Sequence, residues 1–473
     1  MTGGVLALLV CTSAQAGSLG KRLDTLIDEP AWRGATIGID VRDATTGERL
    51  YSRDAASLVT PASTTKWVTA LAAAETLGLD YRFETTVVRT GEIVDGVLHG
   101  DIGIVGTGDP TLGRSDPAGL MDDWARAVRE AGITRVDGRV VTDASALGDP
   151  LLGSGWAWDD APYRFSAPMA AVNLGRNLMT VVAHGEGEGR VDAGPLTPCL
   201  DVDVALEVGK GASGIAILRE PWRQRWVVVG RVPQGGTTRK TTPLRDPNRC
   251  AAAMLDAALE RAGVTVDADP DVGPVEPVAV VATQQSAPLS DILQITLKAS
   301  DNLYAEAVAR ALDPAETGRT YAGARTVIAD MLARARVAPE AYKLVDGSGL
   351  SRYDLLAAES LVTVSMWART QPWYPQLAAM LPVAGVDGTL ASRMTDGPAK
   401  QRVRAKTGSM SGVRNLVGYV EDADGRQLVV AILIVGFTQS QAEAVALQDA
   451  LLQRIAASSR GRLSKRTARA LDG

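Results

Sequence analysis

The two ends of this chain carry pieces of the same kind of domain, separated by a long stretch of different texture. Near the start, "ATIGIDVRD" and "ERLYSRD" alternate β-branched and polar residues around the turn "ATTG", which predicts a hairpin. The segment "GSLGKRLDTLIDEP" predicts a helix before it, and Trp67, Leu71 and Ala74 recur at helical spacing in one after it, to about Leu79. At the far end, "NLVGYVEDADG" and "QLVVAILIVGF" predict two strands turning at Ala423-Asp424-Gly425, followed by the helix "SQAEAVALQDALLQRIAA". The apolar run Leu428 to Phe437 falls short of the roughly 20 residues of a membrane span and suits a buried strand. Strand, hairpin and helix at both ends point to one α/β domain assembled from the outer segments.

From about Phe83 the chain becomes rich in Val, Ile, Thr and Gly with turn pairs every few residues, a β meander. Further strand-like segments continue to "VEPVAVVATQQS", interrupted by helices at "LMDDWARAVREAG" and "DPNRCAAAMLDAALERAG". This reads as an inserted module over residues 86–285, with a nested unit near 165–215. Residues 17–85 and 286–460 would then form the outer domain. Within it, "LSDILQITLKASDNLYAEAVARAL" predicts two helices broken at Ser300-Asp301-Asn302.

Composition excludes several classes. With 473 residues, 46% hydrophobic and 22% charged, the chain can bury a large core. A net charge of −6 argues against nucleic acid as a partner. The two histidines, His99 and His184, rule out a His-rich metal site, and neither adjoins a small-residue nucleophile motif. Val5 to Val10 runs into Ala14-Gln15-Ala16, the cleavage pattern of a secretory leader over residues 1–16. The basic residues that normally precede such a run are missing, which points to a start further upstream. Cleavage would leave Cys199 and Cys250, either as one disulfide or as two buried thiols. The basic tail over 461–473 reads as a solvated end or as a segment drawn to an anionic envelope surface.

Three short motifs occur in order: S-x-x-K at Ser63–Lys66, S-x-N at Ser300–Asn302, and K-T-G at Lys406–Gly408. S-x-x-K alone is unspecific, since Ser18–Lys21 also fits. A serine hydroxyl needs a base. A lysine three residues on shares its helix face, and it can accept a proton if burial or a nearby cation such as Lys406 depresses its pKa. At a helix N-terminus, Ser63 brings a free N–H toward a developing oxyanion; its plain alternative is an N-cap. Ser300 reads as a proton relay between Lys66, Lys406 and a leaving group, and Asn302 as a holder of the acyl side's amide. A helix cap at this break is the plain reading. Lys406 and Thr407 suit a carboxylate. Gly408 lets substrate lie against the strand, and the Ser409 N–H offers a second oxyanion donor. The plain alternative is a lysine-bearing edge strand.

Together with "GTGDPTL", "SDNLYAE", "VDGSGLSR", "GVDGTL" and "KTGSMSGV", these motifs resemble the penicilloyl serine transferases. More narrowly, they resemble the class C low-molecular-mass penicillin-binding proteins, which are D-alanyl-D-alanine carboxypeptidases and endopeptidases. The resemblance runs from about residue 20 to 455, and the 237 residues from Ser63 to Ser300 match that subfamily's large insertion. It implies an α/β (α+β) fold: a β-lactamase/transpeptidase-like domain whose antiparallel sheet is flanked by helices, interrupted by a β-rich module. It implies Ser63 as acylated nucleophile, Lys66 as base, and Ser300, Asn302, Lys406 and Thr407 in proton transfer and carboxylate binding. The Ser63 and Ser409 amides would form the oxyanion hole. "GWAWDDAPYRFSAP" matches a stretch of the inserted domain, so Asp159 or Asp160 would meet a diamino-acid amine; two buried tryptophans and a turn account for it equally. The glycines of "DGSGLS" and "GVDGTL" also fit tight loops at positive φ.

The implied partners are peptidoglycan stem peptides and their cross-links, with β-lactams as covalent inhibitors and no metal or organic cofactor. The implied location is beyond the inner membrane, in the periplasm or outside the cell. A β-lactamase is the second reading, disfavoured because none of the five asparagines follows a glutamate by four residues and Ser300 stands where another class has tyrosine. A catalytically silent peptidoglycan-binding protein is the third.

Overall fold

The computed structural model describes residues 19–148, 150–219 and 226–459; the expected leader and basic tail lie outside them. Its centre is a five-stranded antiparallel sheet in the order Arg49–Arg53, Thr36–Asp43, Gln427–Val435, Val413–Glu421, Val403–Met410. The two chain ends meet strand to strand, from Thr36 opposite Val435 to Asp43 opposite Leu428. The apolar run at 428–434 is continuous because both its faces are covered. Val429, Ala431 and Leu433 point to one core, and Leu428, Val430, Ile432 and Ile434 to the other.

One face is covered by the helix over 19–27 and by Gln441–Ala456, which starts with a capping box between Ser440 and Glu443. The other face holds a helical layer that includes Thr65–Thr76, Leu289–Lys298, Asn302–Ala311 and Ala358–Ala368. Every residue from Thr65 to Ala74 is buried, so this helix runs through the middle of the domain.

The intervening segment has its own core, which includes Ile104, Trp124, Val136 and Leu255. It leaves and returns through neighbouring antiparallel strands, Glu84–Arg89 and Ala279–Gln285, with Glu84 opposite Gln285. These lie in a five-stranded mixed sheet ordered Asp271–Val272, Val140–Asp143, Ile102–Gly106, Glu84–Arg89, Ala279–Gln285. Two three-stranded sheets occupy Leu178–Pro243, which overlaps the expected nested unit at 165–215 only in part. Cys199 and Cys250 are joined as a disulfide, with 5.0 Å between their Cα atoms. Among the described residues, no helix is long and apolar enough to cross a membrane.

Candidate active site

The three motifs converge at the sheet edge. Ser63 lies in a tight 3-10 turn, Ala62–Thr64, that leads into the buried helix Thr65–Thr76. It is not the helix N-cap. Thr64 takes that position without a side-chain cap bond, and the Ser63 hydroxyl instead meets Lys66 Nζ at 2.8 Å. Ala62, just before it, sits at φ +48°, a strained conformation for a residue with a Cβ.

A loop and the edge strand hold that turn in place. A Cβ on Gly349 would stand 2.0 Å from Ala62 O, so only glycine fits there. A Cβ on Gly408 would stand 2.7 Å from Pro61 O and 3.2 Å from Ser63 N. The space beside Gly408 is therefore filled by the backbone of the serine turn. The missing Cβ at Gly408 thus serves the approach of that turn.

Lys66 is fully buried. Besides Ser63, its amine meets Asn302 Oδ1 at 2.6 Å and Ser348 O at 2.7 Å. Burial drives its pKa down to about 8, against Asp346, Glu306, Asp301 and Asp354, whose charges favour the ammonium. Lys406 is also fully buried, and burial, followed by the Lys66 charge, pushes it well below the ordinary lysine range. Burial is the leading cause at both lysines, and it makes each ammonium form costly.

Lys406 Nζ lies 2.8 Å from Ser300 Oγ. Ser300 sits at φ +59° in the break between Leu289–Lys298 and Asn302–Ala311, and Asp301 caps the second helix through Tyr304 N–H. The Asn302 carboxamide is used at both ends: its oxygen accepts from Lys66, and its Nδ2 donates to Phe165 O at 2.7 Å. It therefore links Lys66 to the inserted segment while also lining the cleft.

Val403–Met410 is the edge strand. Ala405 N–H donates outward to Pro382 O, so by strand alternation the Thr407 and Ser409 backbone groups also face outward. The Ser409 N–H thus points to the open edge beside the Ser63 turn. Thr407 Oγ1 meets Thr389 Oγ1 at 2.7 Å.

A cleft of about 380 Å³ opens over these groups, lined by Ser63, Ser300, Asn302 and Ser409, and by Asp160, Phe165 and Arg352 on the far wall. Asp160 is raised by burial and by the Asp159 charge, with Arg352 opposing. Asp159 is exposed and outside this lining. The account by two buried tryptophans fails, because Trp158 is 62% exposed. Trp156 Nε1 donates to buried Asp346, which also accepts from Gly349 N–H and Ser351 N–H. His99 and His184 pair with Asp137 and Asp192 in the inserted segment. Sequence reasoning missed Thr389, the Ser348 and Phe165 carbonyls, and Asp346. The phrases "GVDGTL" and "VDGSGLSR" contain three of the four, but a backbone carbonyl leaves no mark in residue identity.

The sequence profile of the D-Ala-D-Ala carboxypeptidase 3 (S13) family matches residues 19–458. The chain belongs to this family. A relative, the D-alanyl-D-alanine carboxypeptidase of Actinomadura sp. (strain R39), is 34% identical over 96% of this chain and 88% of its own length. The D-alanyl-D-alanine carboxypeptidase DacB of Haemophilus influenzae is 27% identical over 89% of each. The crystal structure of penicillin binding protein 4 from Haemophilus influenzae superposes with a TM-score of 0.78 at 25% identity, covering 91% of this chain and 97% of that one. Within this S13 frame the fold is the expected one, a helix-flanked antiparallel sheet interrupted by a β-rich segment.

Proposed function

We propose that the protein is a serine-type D-alanyl-D-alanine carboxypeptidase and DD-endopeptidase, working on peptidoglycan stem peptides through an acyl-enzyme on Ser63. The observation that carries this reading is the buried Lys66 amine, 2.8 Å from the Ser63 hydroxyl, with Asn302 Oδ1 and Ser348 O as its other partners. A neutral amine has two N–H bonds and one lone pair. The two N–H bonds serve Asn302 and Ser348, and the lone pair is left for the Ser63 proton.

Ser63 Oγ attacks the carbonyl of the penultimate D-alanine, and its proton passes to Lys66. The tetrahedral oxyanion is held by the Ser63 and Ser409 N–H groups. The C–N bond breaks, and the leaving amine takes the proton that Lys66 received, relayed through Ser300 beside Lys406. Water then hydrolyses the ester, releasing the acid and restoring Ser63. A carboxylate bound at Lys406 and Thr407 favours the ammonium form of Lys406, so substrate binding itself recharges that lysine. Asp160, across the cleft, suits the amine of a diamino acid on the acyl side.

A β-lactam presents a ring-strained amide in place of the peptide amide and acylates the same serine. The buried acids near Lys66, Glu306 and Asp346, are spent on backbone N–H groups of the 346–351 loop. Neither lines the cleft to activate water for rapid deacylation, which favours a peptidase over a β-lactamase. Export across the inner membrane and envelope attachment rest on residues 1–16 and 461–473 of the sequence alone.

The test is intact mass after benzylpenicillin, together with D-alanine release from a pentapeptide. One adduct and free D-alanine are expected for the wild type, and neither for Ser63→Ala. An undiminished adduct on Ser63→Ala overturns the assignment.

A further inference from the structure

A second cleft, of about 530 Å³, opens on the other side of the Ser300 turn. One wall is the helix Leu289–Lys298, through Gln294, Ile295 and Lys298, continued by Ala299. The other is an inserted-segment loop carrying Thr111 and Arg114. Ala299 lines this cleft and Ser300 lines the nucleophile cleft, so one turn of backbone separates the two.

The position of this second cleft follows from the direction of the edge strand and rests on the reading proposed above. The acyl half of a substrate lies toward Met410, Ser411, Phe165 and Arg352. The leaving half lies toward Lys406, Thr407 and Thr389. Behind Thr389, Asp387 accepts from Lys298 Nζ at 2.5 Å, and Lys298 forms part of the second cleft. Through Asp387, Lys298 thus ties the loop that carries Thr389 to the wall of the second cleft.

A terminal D-alanine ends at its carboxylate and has nothing to place there. The leaving group of a cross-link is a diamino-acid side-chain amine that continues into methylenes and a second stem peptide with free carboxylates. The cleft offers both complements, although Asp291 also lines it and its charge repels a carboxylate on that side. Ile295 gives an apolar floor. The exposed Arg114 guanidinium lies 5.9 Å from the centre of the Tyr304 ring and has no carboxylate partner among the described residues. Its planar fork is suited to a carboxylate.

We propose that this second cleft holds the leaving half of a cross-linked substrate, with Arg114 binding one of its carboxylates. In that reaction the amide between the D-alanine carbonyl and the side-chain amine breaks, and the amine leaves carrying one proton. The released chain withdraws along the second cleft while the acyl group stays on Ser63.

The experiment compares a defined cross-linked muropeptide dimer with a monomeric pentapeptide, using the wild type, Arg114→Glu and Gln294→Trp. The first variant reverses the charge, and the second fills the cleft from an exposed helix position. In each, kcat/KM for the dimer is expected to fall about tenfold, while that for the monomer and the penicillin acylation rate stay within about twofold. Unchanged dimer cleavage, or equal falls on dimer and monomer, overturns the proposal. So does a wild type that trims monomers and leaves dimers intact, an outcome that spares the carboxypeptidase reading. A wild type that takes no penicillin and releases no D-alanine sinks that reading first.

Discussion

Three acceptors compete for the protons of one amine at Lys66, and that competition sets the pH at which the site works. As an ammonium, Lys66 donates to Ser63, Asn302 and Ser348 and has no lone pair for the serine proton. As the pH rises through about 8 the amine becomes neutral, so the rate of acylation by benzylpenicillin is expected to climb to a plateau with its midpoint near that value. A stopped-flow pH series measures it, and a flat profile between pH 6 and 9 would count against Lys66 as the base. The Asp346 charge is the largest of those that hold the proton on Lys66. Asp346→Asn is therefore expected to move the midpoint to lower pH, a shift that mere loosening of the loop does not produce. A neighbouring residue tests the backbone. In Gly408→Ala the new Cβ would stand 2.7 Å from Pro61 O, a backbone atom that cannot rotate away. The serine turn must shift, and acylation is expected to fall by about 100-fold with the thermal transition largely kept. Acylation at the wild-type rate would mean that the turn tolerates displacement.

Among the elements, the edge strand Val403–Met410 lies where a sequence reader could have placed it. K-T-G was legible because its residues are contiguous and because a strand alternates inward and outward. The same alternation makes the Ser409 N–H outward-facing, so Ser409→Pro removes that donor without breaking a backbone bond to Val413–Glu421, and costs only the exposed side-chain bond from Arg414. Folding is expected to survive, while acylation falls by roughly 10²–10³. A normal acylation rate would remove this N–H from the oxyanion hole. The loops were far less legible. Ser348 and Phe165 act through carbonyls, and any residue supplies a carbonyl. Thr389 works because the "GVDGTL" loop is folded back on Thr407, a meeting that spacing does not disclose. Gly408 was legible only in part for a related reason. A missing Cβ announces a close approach without naming what approaches, and here it is the chain's own serine turn.

At the scale of the whole molecule, the chain buries two separate kinds of core. The cores on either face of the central sheet draw on both chain ends, whereas the inserted segment packs around Ile104, Trp124 and Leu255. Interruption of the outer domain was legible as a change of texture near Phe83. The disulfide was not, because two cysteines 51 residues apart read equally well as thiols. Cys199 and Cys250 both belong to the inserted segment, so their bond restrains only that part of the unfolded chain. Contacts such as Asn302 to Phe165 O and Asp346 to Trp156 Nε1 join the two parts at the active site. Hydrogen bonds of this kind contribute about 1 kcal/mol each, too little to force two large cores into one transition. Calorimetry is therefore expected to resolve two transitions. Replacing the pair, as Cys199→Ser with Cys250→Ala, is expected to lower one of them by roughly 5–15 °C, the equivalent of about 2–4 kcal/mol. Acylation with benzylpenicillin fills the Ser63 cleft and is expected to raise the other, because a ligand held only by the native state stabilises the part that holds it. A single transition that moves under both treatments would show instead that the inserted segment and the catalytic domain unfold as one unit.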